Sequence, residues 1–432
     1  MSARDFLRAK IRGLSARLTR LGRIDNAFVG LRPQDMPHAP SPRHFDAANA
    51  RLSRVEQRIR ARFAQLNHEW ERRPLHRVLI DVALVERELD RARRLFGMFY
   101  EVFAQRGTAF APSLAAHDAI ADDCYRAVRE AAPRIFDGPL LKPVCYMEHG
   151  YSPATMRRGV SLSRLLGEAN PFPLIRIPWD RDQPWQSVFL HEVAHNLQAD
   201  LGIWQENRHA VLRRVMGSRR DPFLATVYGR WHKEIFADLA AILLGGPAAA
   251  WGMADFLAHP QPRTLTYRPG GAHPTAYLRV YLLAEMMRRM GFTADATRLL
   301  RVWQELYRPQ GAHRIPPSLM ASAPRIIPDV VDEIAFQTRR NLAQRALVDV
   351  IPFTRSDEDA IRAGAERLAA GRETALAPRH LVSAAHYALE SGRIAPQRLA
   401  REVVSELIAR GGPPVRQGAP TPRAAEPLAL AA

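Results

Sequence analysis

His191-Glu192-Val193-Ala194-His195 places two imidazoles four residues apart, one helical turn from each other on a single face, where both can reach one metal ion. Glu192, beside the first of them, stands where a carboxylate can take a proton from water that the metal activates. The chemistry this pattern supports is metal-dependent hydrolysis. The chain has 15 histidines in 432 residues, and such a pentapeptide then arises by accident with a chance on the order of a few per cent. Its surroundings must therefore decide. His68-Glu69-Trp70-Glu71-Arg72 shows what an accident looks like, because an arginine stands where the second ligand would be.

A catalytic zinc takes three protein ligands and leaves a position for water. The metzincin spacing would need a glycine at position 198 and a histidine at 201, and the chain has Gln198 and Leu201. Glu234 is the better third ligand, on a second predicted helix from about Pro222 to Leu244. Asp238 follows four residues later on the same face, placed to accept a hydrogen bond from a ligand histidine's other ring nitrogen and so fix its tautomer. The plain alternative is a pair of solvated carboxylates on an amphipathic helix. Against it, Ile235, Phe236, Leu239, Ala240, Ile242 and Leu243 surround them, and buried carboxylates need a partner. Asp200, Glu206 and His209 are the fallback ligands. For a donor to the tetrahedral oxyanion the first choice is His273, behind the flexible Gly270-Gly271 entry and at the start of a long helix, followed by Tyr277, Tyr228 and His232.

The elements that must position these groups are legible in part. Trp185 to Leu201 carries Val188, Phe189, Val193, Leu197 and Leu201 at helical spacings, and Gly202 is a good stop. Before it, Phe172 to Pro178 is a short apolar run bracketed by prolines and reads as an edge strand, whose free side an extended substrate could pair with. Val144-Cys145-Tyr146-Met147 is the other expected strand.

His-Glu-x-x-His followed by Glu-x-x-x-Asp on a second helix resembles the gluzincin group of zinc metallopeptidases. His273-Pro274-Thr275-Ala276-Tyr277-Leu278-Arg279 is similar to the His-Pro-x-x-x-x-Arg segment of the heat-shock and prenyl-protein protease branch. The resemblance spans roughly residues 172 to 290, about a quarter of the chain. It implies zinc on His191, His195 and Glu234, Glu192 as the base, and Asp238 behind the ligands. The chain departs from that branch at Ala194, where a glycine is usual, and in having no expected membrane span.

Composition sets outer bounds. The net charge of +18 is mostly arginine spread along the chain without interleaved aromatics, which makes a nucleic-acid partner unexpected. Two cysteines, Cys124 and Cys145, are too few for a disulfide framework, and the first thirty residues lack the apolar core of a secretory signal. A cytoplasmic setting is expected. Leu7, Ile11, Leu14, Leu18 and Leu21 form an apolar stripe among arginines. Such a basic amphipathic helix either packs onto the protein or makes peripheral contact with a membrane. Leu239 to Ala254 lacks charges but is interrupted by Gly245-Gly246-Pro247 and is shorter than the ~20 residues of a spanning helix.

Along the chain we expect a basic segment and proline-rich linker over 1–45, with Leu31 to Pro42 as the linker, and a helical region over 46–135. A zincin-like core over 136–310, a second helical region over 311–410 and a disordered tail over 411–432 follow. Ser356-Asp357-Glu358-Asp359 reads as a capping box, Gly392 separates two helices, and His380 and His386 read as structural. The expected molecule is α+β, predominantly helical, with a small sheet. It would be a zinc endopeptidase with one Zn2+ per chain and a protein or peptide substrate. The rivals are a silent or regulatory zincin-scaffold binding protein, which has no need of Glu192, and a zinc hydrolase of a non-peptide amide or ester.

Overall fold

The three-four apolar rhythm of the N-terminal third folds into three helices, α1 (Ala3–Thr19), α2 (Pro42–Glu69) and α3 (Leu75–Ala104). This is a computed structural model, and it describes residues 1–70, 72–136, 140–150, 153–159, 169–179, 182–308 and 314–411; of Glu69, Arg219 and Gly411 it describes only the backbone. The tail expected beyond residue 411 lies outside the described residues. Ser2 and Asp5 cap α1 reciprocally, and its stripe of Leu7, Ile11, Leu14 and Leu18 is buried, packed on the protein itself against α3. Lys10 and Arg17 of the opposite edge reach Glu86 and Asp90 of α3 at 2.8 and 2.9 Å. The proline-rich stretch before α2 is more ordered than a linker, containing a 3-10 turn at Pro33–His38.

Three short strands follow: β1 (Val144–Met147), β2 (Ala154–Met156) and β3 (Leu174–Ile177), in the order β1-β3-β2. β1 runs parallel to β3, pairing Val144 with Leu174 and Met147 with Ile177, while β2 runs antiparallel, pairing Ala154 with Arg176. The sequence expectation for 172–178 is corrected here, since β3 is the central strand and not an edge. Its two prolines, Pro173 and Pro178, flank the four paired residues instead of interrupting them, so every ladder N–H is present. Among the described residues β1 and β2 are the two edge strands. Alternation along the strands gives the sheet two apolar faces. Val144 and Leu174 join the cluster of α1–α3, whereas Cys145, Met147, Ile175 and Ile177 join the larger helical core.

That core is built from α4 (Ala111–Ala131), α5 (Val188–Asp200), α6 (Trp204–Arg219), α7 (Pro222–Gly245) and α8 (Pro247–Leu257). It continues through the single turn α9 (Gln261–Thr264), α10 (Ala276–Arg289), α11 (Thr293–Leu306), α12 (Pro317–Val331) and the single turn α13 (Leu347–Val350). It ends with α14 (Arg355–Ala369), α15 (Pro378–Glu390) and α16 (Pro396–Gly411). α7 is the central element, touching α5, α6, α8, α10, α12 and α15. Asp221 caps its first turn by accepting hydrogen bonds from the N–H groups of Phe223 and Leu224. Gly246, at φ +68°, ends it: any Cβ there would collide with the ring of Phe353. The uncharged window Leu239 to Ala254 is therefore the end of one buried helix and most of another. Among the described residues no helix is long and apolar enough to cross a membrane.

Two further points depart from expectation. α4 contributes its apolar face to the large core and not to the N-terminal bundle, and it packs against α16 from the far end of the chain. The capping box of α14 sits two residues earlier than 356–359, with Thr354 as the cap and Asp357 reciprocating, because the helix begins at Arg355. His380 and His386 lie on α15 in the core; burial pushes the His380 imidazole down to about 4.

Candidate metal centre

α5 and α7 pack against each other and bring the two sequence patterns together. His191 and His195, one turn apart, meet edge to face with ring centroids 4.6 Å apart. Each directs its Nε2 toward the same oxygen of Glu234, at 3.5 Å in both cases. The three ligand atoms lie within 4.8 Å of one another. Donors held at roughly 2.0–2.2 Å from a tetrahedral ion are about 3.4 Å apart, so this spacing fits a bound divalent metal. The donor set, two imidazoles and a carboxylate, also suits such an ion. A buried His-His-Glu group that could bind a metal is thus present.

The surroundings hold those donors in place. Asp238, fully buried, accepts a hydrogen bond from Nδ1 of His191 at 2.8 Å, which leaves Nε2 as the lone-pair nitrogen. Asp238 is in turn clamped by Arg279 of α10, whose Nε and Nη2 both donate to it, the latter at 2.7 Å. Arg279 is itself only 5% exposed. Arg279 closes the His-Pro segment of the sequence, where no local pattern assigns it a role. The available signal was an arginine on the buried face of an apolar helix, between Leu278 and Val280.

The electrostatics favour a cation. Glu192, Glu234 and Asp238 are three buried carboxylates against one buried arginine. Burial alone would lower the His191 pKa, but Asp238 and then Glu234 outweigh it and raise it to about 9. The same two carboxylates that attract a proton there attract a metal. His195 is pushed the other way, to about 4, by burial and by the neighbouring His191. Although burial opposes it, Glu234 is held far below the usual carboxylate range by its hydrogen bonds with the two imidazoles. Glu192 makes no such contact, and burial together with the charge of Glu234 raises it to about 7.

These groups form one side of a cavity of about 380 Å³ whose lining includes Glu192, both histidines, Glu234 and His273. His273 lies in the loop ahead of α10, not within the helix. Its side chain is 70% exposed, with Nε2 3.4 Å from Glu234. Pro153, Ala154 and Thr155 form another part of the lining, and Thr155 Oγ1 donates to Asn196 Oδ1 at 2.8 Å, tying β2 to α5. The other candidates lie elsewhere. Tyr277 shares a hydrogen bond with Tyr281, the buried Tyr228 hydroxyl does not reach the cavity, and His232 packs its Nδ1 on Gly229. Asp200 is bound by Tyr125 and Arg158. Glu206 accepts from the N–H groups of Arg340 and Asn341, and both Glu206 and His209 line a separate hollow. Thr155, Arg157, Trp204 and Lys233 of the cavity leave no pattern in the sequence, because they come from β2 and its end, from α6 and from α7, and no spacing links the three.

Comparison with known proteins leaves the geometry to speak for itself: no family model, no curated protein and no solved structure matches the chain.

Proposed function

We propose that the chain is a zinc-dependent metallopeptidase of the gluzincin kind, cleaving extended peptide segments. One observation carries the reading. Pro153, Ala154 and Thr155 at β2, an edge strand among the described residues, line the same cavity as the His-His-Glu group and Glu192. An extended peptide adds to a free strand edge through its main chain, independent of its side chains. That edge therefore favours a peptide over a small amide or ester.

His191, His195 and Glu234 would hold the metal, which when bound supplies Lewis acidity, making water easier to deprotonate and a carbonyl easier to attack. Glu192 takes the proton of the attacking water onto its carboxylate and passes it to the leaving amine nitrogen. Its place in the cavity lining beside His191 puts it within reach of both transfers. His273, at the cavity rim, donates a ring N–H to the developing oxyanion. Asp238 and Arg279 keep His191 in the tautomer whose Nε2 faces the metal position. β2 sets the register of the substrate.

The test is cleavage of an unstructured protein by the zinc-loaded chain, with products identified by mass spectrometry, beside Glu192→Gln. New peptide termini that disappear in Glu192→Gln, a loss on the order of 10²-fold or more, are expected. Glu192-dependent turnover of small amides or esters with no peptide cleavage would overturn the peptide reading.

A further inference from the structure

The cavity has a second wall that the hydrolytic chemistry does not use. Arg157, just after β2, Trp204 at the start of α6, and Lys233 of α7 all line it. The Arg157 guanidinium lies over the Trp204 ring, 4.4 Å from its centroid, and the Lys233 ammonium lies 5.1 Å from the same centroid. Two cations held by one indole are drawn to its π-face, yet that attraction does not neutralise either charge. Neither side chain forms an ion pair or a side-chain hydrogen bond with a described residue. All three are only half-buried and line the cavity, so they are not sealed in the core. Among the described residues the carboxylate whose charge is felt at Arg157 is Glu234, and in the proposed enzyme that charge is committed to the metal. What remains, among the described residues, is a wall with two uncompensated positive charges beside the reacting centre.

From this arrangement we infer that Arg157, Trp204 and Lys233 form a carboxylate-binding subsite, and that the preferred substrates are acidic peptides. The inference rests on the peptidase reading for its location relative to a scissile bond, but binding can be measured without turnover. Arg157 offers a planar fork of N–H donors that matches a carboxylate, and the indole fixes its plane. Lys233 adds a point charge from the neighbouring helix. The carboxylate has two sources, an Asp or Glu side chain near the scissile bond or the free C-terminus of the peptide. Both present the same two oxygens.

The experiment uses the full-length, zinc-loaded Glu192→Gln protein, which spares its ligands. Calorimetry follows binding of three unstructured peptides of equal length. One is neutral with an amidated C-terminus, one carries two internal glutamates with the same amide, and one is neutral with a free C-terminus. Carboxylate-bearing peptides should bind about tenfold more tightly than the neutral one, with the difference shrinking as salt rises. Whichever of the two shows the gain identifies the source. In Arg157→Gln/Lys233→Gln the acidic-to-neutral ratio should fall to near one, with Lys233→Gln alone giving a partial fall should the double variant not fold. Equal binding of all three peptides, or a preference that survives loss of both cations, overturns the subsite. The two readings fail separately. Carboxylate preference in a protein whose wild type cleaves no peptide sinks the peptidase alone, and cleavage without preference sinks the subsite alone.

Discussion

The N-terminal bundle and the candidate metal centre both depend on charged residues, and they use them in opposite ways. In α1–α3 the ion pairs are peripheral. Lys10 meets Glu86 with about a third of each side chain exposed, and Arg17 meets Asp90 in still wetter surroundings. Apolar burial of Leu7, Ile11, Leu14 and Leu18 is what fixes the helix. Around α5, α7 and α10 the charges are inside: Asp238 is fully buried and Arg279 nearly so. Buried ions contribute little net stability, since desolvation offsets their attraction, so their presence points to a task other than holding the fold. A surface pair can be lost with small effect. A buried pair that orients a ligand cannot.

Replacing Asp238 by Ala should therefore have the largest effect on stability of any single change here. It strands Arg279 in the core, a cost of roughly 3–5 kcal/mol, and frees the His191 ring, lowering metal affinity by about 10–100-fold. Denaturant unfolding and metal titration would read the two effects separately. A variant as stable and as tightly metallated as wild type would erase the contrast. His273→Ala comes next. Its ring is exposed and holds nothing up, so stability and metal content should stay unchanged while turnover falls about 10²–10³-fold. Loss of metal would instead make His273 a ligand.

The core also contains a histidine whose burial alone predicts a pH dependence. His380 is held neutral, with its pKa down from 6.5 to about 4. The unfolded chain binds that proton more readily, so this contribution is complete above pH 6.5 and is lost as pH falls toward 4. The loss is roughly 3 kcal/mol, from 1.36 kcal/mol per unit. Denaturation midpoints between pH 7 and 4 should fall less steeply in His380→Phe. An unchanged slope would remove His380 from the account. The smallest effect belongs to the bundle: Lys10→Met should change stability by under about 1 kcal/mol. A larger loss would mean that the bundle, too, depends on its charges.

Which features could be read from the sequence follows from how local their causes are. His191, His195, Glu234 and Asp238 were visible because i, i+4 spacing within each helix is a local property, and β1 was placed residue for residue. The role of β3 was misjudged because strand order is settled by β1 and β2, one of them thirty residues away. Flanking prolines mimic an edge equally well. Arg279 carries no local sign of its task, since its partners lie 41 and 88 residues upstream, on α7 and α5. The cationic wall of Arg157, Trp204 and Lys233 left no trace in spacing at all. Even the capping box of α14 slipped by two positions, as Thr354 and Ser356 offer the same side-chain chemistry and only the helix start distinguishes them.

The most direct test of the central claim is metal stoichiometry. Purified wild type and His195→Ala, each reconstituted with excess zinc and passed through a desalting column, would be assayed by inductively coupled plasma mass spectrometry. The account predicts one zinc per chain in wild type and essentially none in a folded His195→Ala. A wild type that retains no metal, or a His195→Ala that retains as much, would contradict it.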